Sequence, residues 1–222
     1  MKKIAIFLVF LTGCIPYKSY LKTDDICGFD MTITEEEKCL DFTKYDSLLT
    51  KGNLTITDNE SILKEYRKYS NNKYTYVIKQ VDKPTNISKW TKYNAHGHIR
   101  YVYFTYVNGG LKIGQGIYFD SLGNITQVID HRHANNYPIC FKEALMIAEK
   151  LKPKKDSIFG IDREWEATVT DTLYYWEVFV QEPKPDKDEP TLGDAWIYRI
   201  DAQTGKLLRK MQLIQGHDDT AP

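Results

Sequence analysis

Two periods of apolar residues run along this chain. In one stretch Ile99, Tyr101, Tyr103, Thr105 and Val107 alternate with other residues, and Ile113, Ile117 and Phe119 repeat the pattern further on. A period of two marks strands with one covered face. Strands are predicted at about 73–81, 88–94, 99–107, 112–119 and 125–131. Asn94-Ala95-His96-Gly97, Asn108-Gly109-Gly110 and Asp120-Ser121-Leu122-Gly123-Asn124 supply turn residues between most of them, so the strands read as antiparallel hairpins. The second period is close to 3.6. Behind Thr57-Asp58-Asn59-Glu60, the residues Ile62, Leu63, Tyr66 and Tyr69 fall on one helical face. Cys140, Ala144, Ile147, Ala148 and Leu151 do the same over about 140–152, with Lys142, Glu149 and Lys150 opposite and Pro153 as the stop. Strands then fit at about 164–171, 173–181, 195–201 and 206–213. Trp176, Val178 and Val180 share a face, as do Trp196, Tyr198 and Ile200, and both sets are expected to face the 140–152 helix. A shorter helix is signalled by Thr34-Glu35-Glu36-Glu37 and runs to about Phe42. The order of helix followed by antiparallel strands thus occurs twice, in residues 57–137 and 138–213. The expected fold class is α+β, with antiparallel sheets each packed by a helix.

The N-terminus carries an address. Lys2 and Lys3 precede the apolar run Ile4 to Leu11. Eight residues rise about 12 Å as a helix, far short of the roughly 30 Å bilayer core, so residues 1–13 read as a signal segment and not as an anchor. Leu11-Thr12-Gly13-Cys14 resembles the bacterial lipobox, which implies acylation at Cys14 and attachment to the membrane through the N-terminal lipid. The competing reading is a plain secretory signal whose cleavage region contains a Cys. Residues 14–56 then hold the lipid anchor, a tether and the short helix. Lys22-Thr23-Asp24-Asp25 resembles export signals of Bacteroidetes lipoproteins, and no Asp follows Cys14. The absence of Asp after Cys14 favours the outer membrane of a bacterial cell envelope. Pro183 to Pro190 is a charged loop and 214–222 a tail.

Charge and chemistry narrow the function. Thirty Lys+Arg balance thirty Asp+Glu, which argues against nucleic acid or an acidic surface as the main partner. The 16 Tyr, 9 Phe and 4 Trp rule against disorder. With Cys14 assigned to lipid, Cys27 and Cys39 could pair across a short loop in an exported protein, leaving Cys140 as a buried small hydrophobe. His96 with His98 and His131 with His133 have the i, i+2 spacing that puts two ligands on one strand face, but no Cys or carboxylate cluster accompanies them. Neither pair is assigned a metal. The chain has no Gly-x-Ser-x-Gly elbow and no phosphate-binding glycine loop, so no catalytic residue and no cofactor is expected. Glu164 and Glu166 read as surface charges on an edge strand.

A family resemblance covers about residues 138–213. Glu143-Ala144-Leu145-Met146-Ile147-Ala148-Glu149, then Tyr175-Trp176-Glu177-Val178, then Trp196-Ile197-Tyr198-Arg199-Ile200-Asp201-Ala202-Gln203-Thr204-Gly205-Lys206-Leu207 resemble a PepSY domain and the similar β-lactamase-inhibitor-protein-like modules. The first half departs more, its turn Phe119-Asp120-Ser121-Leu122-Gly123-Asn124-Ile125 being one residue shorter, and a second PepSY-like unit in tandem is left open. The resemblance implies a non-catalytic, protein-binding module, in some members inhibitory. Asp201 and Gly205 read as turn formers, not as catalytic groups. The expected function is a lipid-anchored envelope protein that binds another protein, in an inhibitory or immunity-type role towards an envelope hydrolase. A structural subunit of an envelope complex and a metal-dependent hydrolase are the alternatives. Tyr101, Tyr103, Tyr106, Tyr174 and Tyr175 are the expected binding surface, because Tyr is favoured at interfaces.

Overall fold

The computed structural model describes residues 27–49, 54–69, 75–106, 110–183 and 194–213. The signal segment, Cys14, the Asp24-Asp25 tether, most of the charged loop and the tail lie outside the described residues. Two short helices come first, α1 (Glu35–Lys38) and α2 (Thr43–Leu49). Seven strands follow: β1 (Leu54–Asp58), β2 (Ile62–Lys68), β3 (Tyr76–Asp82), β4 (Ile87–Tyr93), β5 (Ile99–Tyr106), β6 (Lys112–Phe119) and β7 (Ile125–Asp130). They form one antiparallel sheet in sequence order, each strand beside its predecessor. Then come α3 (Phe141–Leu151) and four strands, β8 (Ser157–Ala167), β9 (Thr172–Gln181), β10 (Ala195–Asp201) and β11 (Leu207–Leu213). These make a second antiparallel sheet in the order β11-β10-β9-β8.

The architecture is mostly β, which overturns the α+β expectation. The helix expected behind Thr57 is a strand pair instead. Asn59 Oδ1 accepts from the amides of Ser61 and Ile62 at 2.9 and 2.8 Å, closing a turn where a helix start was expected. Ile62 and Tyr66 then alternate with Leu63 and Glu65 along β2, which pairs with β3 from Ile62↔Asp82 to Lys68↔Tyr76. A spacing of four fits a strand as well as a helix, and the β3 partner decides it. The early helix is also shorter than expected. Thr34 and Glu37 form their reciprocal cap, but α1 stops after four residues, and the Leu40 amide donates to Gly97 O at 2.9 Å. Gly97 sits at φ +80°, and a Cβ there would lie 1.9 Å from Leu40 O, so the turn carries glycine for contact as well as conformation.

The segment from Cys27 to Leu49, and not a regular helix, covers one face of the seven-stranded sheet. Phe42 stacks on Tyr76 at 4.2 Å and meets Tyr66 and Tyr93 edge-on, and Phe29 meets Phe104 at 5.3 Å. Lys89 reaches up from β4 to Glu37 at 2.7 Å and to Thr32 O at 2.6 Å. Burial pushes the Tyr93 phenol well above its ordinary value. The second sheet is covered by α3, whose Ala144 and Ala148 are fully buried against it. Trp176 and Trp196 stand on the neighbouring strands β9 and β10 with Val178, Val180, Tyr198 and Ile200 on the same face. The Asp201 turn forms as its residues suggest: Oδ1 accepts from the amides of Gln203 and Thr204, and Gly205 takes φ +70°.

A disulfide ties the two regions. It joins Cys27 to Cys140, 113 residues apart, at the residue that precedes α3. This corrects the expected Cys27–Cys39 pair. Cys39 is held in a bridge to His98 beside β5 and its thiol is exposed and free. Lys142 Nζ donates to Gly28 O at 2.7 Å and Phe141 lies 5.7 Å from Tyr106, so α3 begins against the N-terminal segment and the sheet end together.

Candidate functional site

Residues opposite one another in paired strands share a sheet face, so the registers define the second face of the seven-stranded sheet. One row reads Glu65, Lys79, Trp90, Tyr103. The next reads Arg67, Val77, Lys92, Tyr101, Tyr118, Gln127. A third reads Leu63, Val81, Ser88, Thr105, Lys112. Four of these rings form a stack across β4, β5 and β6. Trp90 and Tyr103 are 6.0 Å apart, Tyr103 and Tyr101 5.0 Å, and Tyr101 and Tyr118 4.1 Å, all within 20° of parallel. Trp90 Nε1 donates to Thr105 Oγ1 at 3.0 Å, which fixes the indole.

Cations thread the stack. Arg67 and Lys79 lie 5.6 and 5.4 Å from the Trp90 ring centre, Lys92 lies 5.2 Å from that of Tyr103, and Lys112 lies 5.7 Å from the same ring. Arg67 also pairs with Glu65 at 3.0 Å. Tyr101 is buried in the centre, Trp90, Tyr103 and Tyr118 are half-buried, and Lys112 and Gln127 are exposed, so the face reaches solvent.

At its β7 end the face runs into the joint between the two sheets. His131 donates its amide to Gly114 O at 2.8 Å, while its Nε2 is buried with no hydrogen-bond partner among the described residues. A Cβ on Gly116 would stand 2.8 Å from the Tyr101 hydroxyl and 2.9 Å from His131 Nε2, so Gly116 makes room for both. Arg163 crosses from β8 and donates to Lys112 O, with its guanidinium 5.7 Å from Trp176 and 6.0 Å from Tyr137. Burial, and then the charges of Lys112 and Arg163, hold the His131 imidazole below its ordinary value. Burial also lowers Arg163 and pushes the Tyr137 phenol up to about 12.

The expected tyrosine surface does not form as one face. Tyr101 and Tyr103 belong to the stack. Tyr106 is buried on the opposite face against Phe141, because it stands three residues after Tyr103 in unbroken alternation. Tyr174 packs on Tyr137 at 5.6 Å, and Tyr175 is buried on the outer face of the four-stranded sheet with Arg199 4.7 Å from its ring centre. Trp90 and Tyr118 complete the stack but were outside the sequence reading. The signal for them was cross-strand register, which no single strand displays.

The histidine pairs stay apart in environment. His98 Nδ1 is 3.2 Å from Ser121 O beside the exposed turn at His96, and His133 is an exposed turn residue at φ +53° next to the inward-facing His131. Among the described residues, one group of three ligand-type side chains is close enough for a metal: Cys27, Cys140 and Glu143. Both sulfurs are consumed by the disulfide, and Glu143 Oε2 accepts from the Cys140 amide at 2.8 Å. That group reads as a helix cap on a crosslink.

No protein-family model, curated protein or solved structure matches this chain.

Proposed function

We propose that the chain is a lipid-anchored, non-catalytic protein of the bacterial cell envelope that binds another protein through the Trp90–Tyr118 face. The observation that carries this reading is the ring stack itself. Trp90, Tyr103, Tyr101 and Tyr118 stand on a sheet face that reaches solvent, with Arg67, Lys79, Lys92 and Lys112 among them. Aromatic residues and Arg are the types enriched where proteins meet, since rigid rings bring large contact area at little entropic cost. Support of another kind comes from residues 138–213. Helix α3 is followed there by four antiparallel strands, and the segments that carry the PepSY resemblance lie on α3, β9 and the β10–β11 hairpin. The lipobox at Leu11 to Cys14 would hold this face near a membrane.

Two measurements test the reading together. Cys14→Ser should release the chain from salt-washed membranes and abolish labelling with radioactive palmitate; retention of both in the variant overturns the anchor. A photo-crosslinking amino acid at Tyr103 should give a discrete protein adduct in cells, lost in Trp90→Ala. The same probe at the exposed Trp165 should not give that adduct. An identical adduct from both positions, or one indifferent to Trp90→Ala, would remove the face from the binding role.

A further inference from the structure

Resting on that binding reading, we infer that the partner surface is acidic. Between β2 and β6 the open face carries five charged side chains: Glu65, Arg67, Lys79, Lys92 and Lys112. The one carboxylate is committed to Arg67 at 3.0 Å. Lys79 and Lys112 make no ion pair among the described residues, and each lies beside a ring. Neighbouring strands are about 4.8 Å apart, so these cations sit within or near one Debye length of one another and their repulsion is felt in the free protein. A surface bearing carboxylates relieves that repulsion on contact. The ammonium groups already sit beside the rings, so they lose less freedom on binding.

The geometry of the stack selects the chemical class. Sugars and nucleobases dock by lying on flat ring faces. Here much of that flat surface is already taken, because the rings lie parallel at 4.1–6.0 Å and cover one another. Ring edges and ammonium groups remain for the partner. An array of charge and hydrogen-bond donors without stacking platforms fits the carboxylates of an acidic protein surface. The neutral composition of the whole chain conceals this, because the compensating carboxylates lie elsewhere. Asp162, Glu164, Glu166 and Glu177 gather on the outer face of the second sheet around Arg199.

The test uses the purified full chain, with labelled poly-L-glutamate as the probe and fluorescence anisotropy as the readout. Binding should weaken about tenfold or more between roughly 50 and 300 mM NaCl, as screening of surface charges requires. K79E/K92E/K112E should lose a further order of magnitude and acquire affinity for poly-L-lysine. K79Q/K92Q/K112Q should fall between, and serves if the reversal variant fails to fold. Poly-L-glutamate binding unchanged by these variants overturns the inference. So does tighter binding of dextran sulfate or of phosphatidylglycerol vesicles at equal charge, which would assign the face to a glycan or a lipid. Self-association of the chain that K79E/K92E/K112E abolishes would assign it to a second copy and equally overturn an acidic foreign partner. If the Tyr103 crosslink persists in the triple variants, the binding reading stands and the acidic partner alone is lost.

Discussion

The seven-stranded sheet hides one face under an irregular segment, and the four-stranded sheet hides one under a helix. The side chains between the layers differ accordingly. Beneath α3 the small residues Ala144 and Ala148 are fully buried together with Val178, Val180 and Ile200, beside the rings of Trp176 and Tyr198. A helix satisfies most of its own amides and carbonyls, so it can approach a sheet closely with nothing but carbon between them. The Cys27–Leu49 segment has only two short helices to do this. The sheet and the segment therefore supply partners to each other, Lys89 donating to Thr32 O and Leu40 to Gly97 O, and α3 adds Lys142 to Gly28 O. Large rings pack between segment and sheet, Phe42 and Phe29 from above and Tyr66, Tyr76, Tyr93 and Phe104 from below. An irregular layer is stable when its polar atoms are bonded across the interface; a regular one needs no such help.

The crosslink should show the largest effect, because it closes the loop that contains the whole first sheet. A span of 113 residues corresponds to on the order of 4–5 kcal/mol of lost denatured-state entropy. Cys27→Ser/Cys140→Ser, or reduction, should lower stability by an amount of that order in urea titrations, whereas Cys39→Ser should change it by less than about 0.5 kcal/mol. Peptide mapping of the oxidised chain should recover Cys27 linked to Cys140. A Cys27–Cys39 peptide, with Cys39→Ser the damaging change, would restore the pairing expected from the short loop.

Next in size is the contrast between the two covers. Phe42 is buried and touches three rings, so Phe42→Ala should cost about 3–5 kcal/mol. Trp196 is only half-buried, with Lys210 Nζ 4.2 Å from its ring centre, so Trp196→Ala should cost about 2 kcal/mol despite the larger side chain. If the two losses come in the reverse order, the irregular segment is a loose flap and the core of the first sheet lies elsewhere.

The legible parts of this fold are those specified within a few residues. The alternation from Ile99, the stripe of Cys140 to Leu151 and the Asp201-to-Gly205 turn each mark their element locally, and β5, α3 and the β10–β11 turn lie where those marks fall, although a register shift puts Ile99 on the covered face and Tyr101, Tyr103 and Thr105 on the open one. Residues 57–69 were not legible. Ile62 and Tyr66 satisfy both periods, and the choice is made by β3, which pairs with β2 across the Ser61–Lys83 end and beyond. The disulfide was hidden for the same reason: Cys39 is close to Cys27 in sequence, and only the docking of α3 against Gly28 brings Cys140 closer in space. Neutral composition does not tell how charge is distributed over the surface. Charge is segregated by face, with cations around the ring stack on one sheet and carboxylates around Arg199 on the other. Composition sums over faces, whereas a partner meets one of them.

The smallest expected effect sits where the two regions meet. His131 follows β7 with its Nε2 buried, and burial together with Lys112 and Arg163 favours the neutral ring. Its folded pKa is therefore below the ordinary 6.5, and the unfolded chain binds the proton more readily. The sign follows: this histidine contributes stability that is fully present above 6.5 and is lost as the pH falls through the folded value. Urea midpoints of the wild type and of His131→Gln, compared from neutral pH to below 5, isolate that contribution from the titration of the carboxylates. The wild-type advantage should shrink steadily on acidification. Because His131 adjoins Tyr101 at Gly116, the same titration should also disturb the open face before the fold is lost. A difference between wild type and His131→Gln that stays constant as the pH falls would mean that burial does not shift this imidazole, and one that grows would mean that Asp130, not burial, governs it.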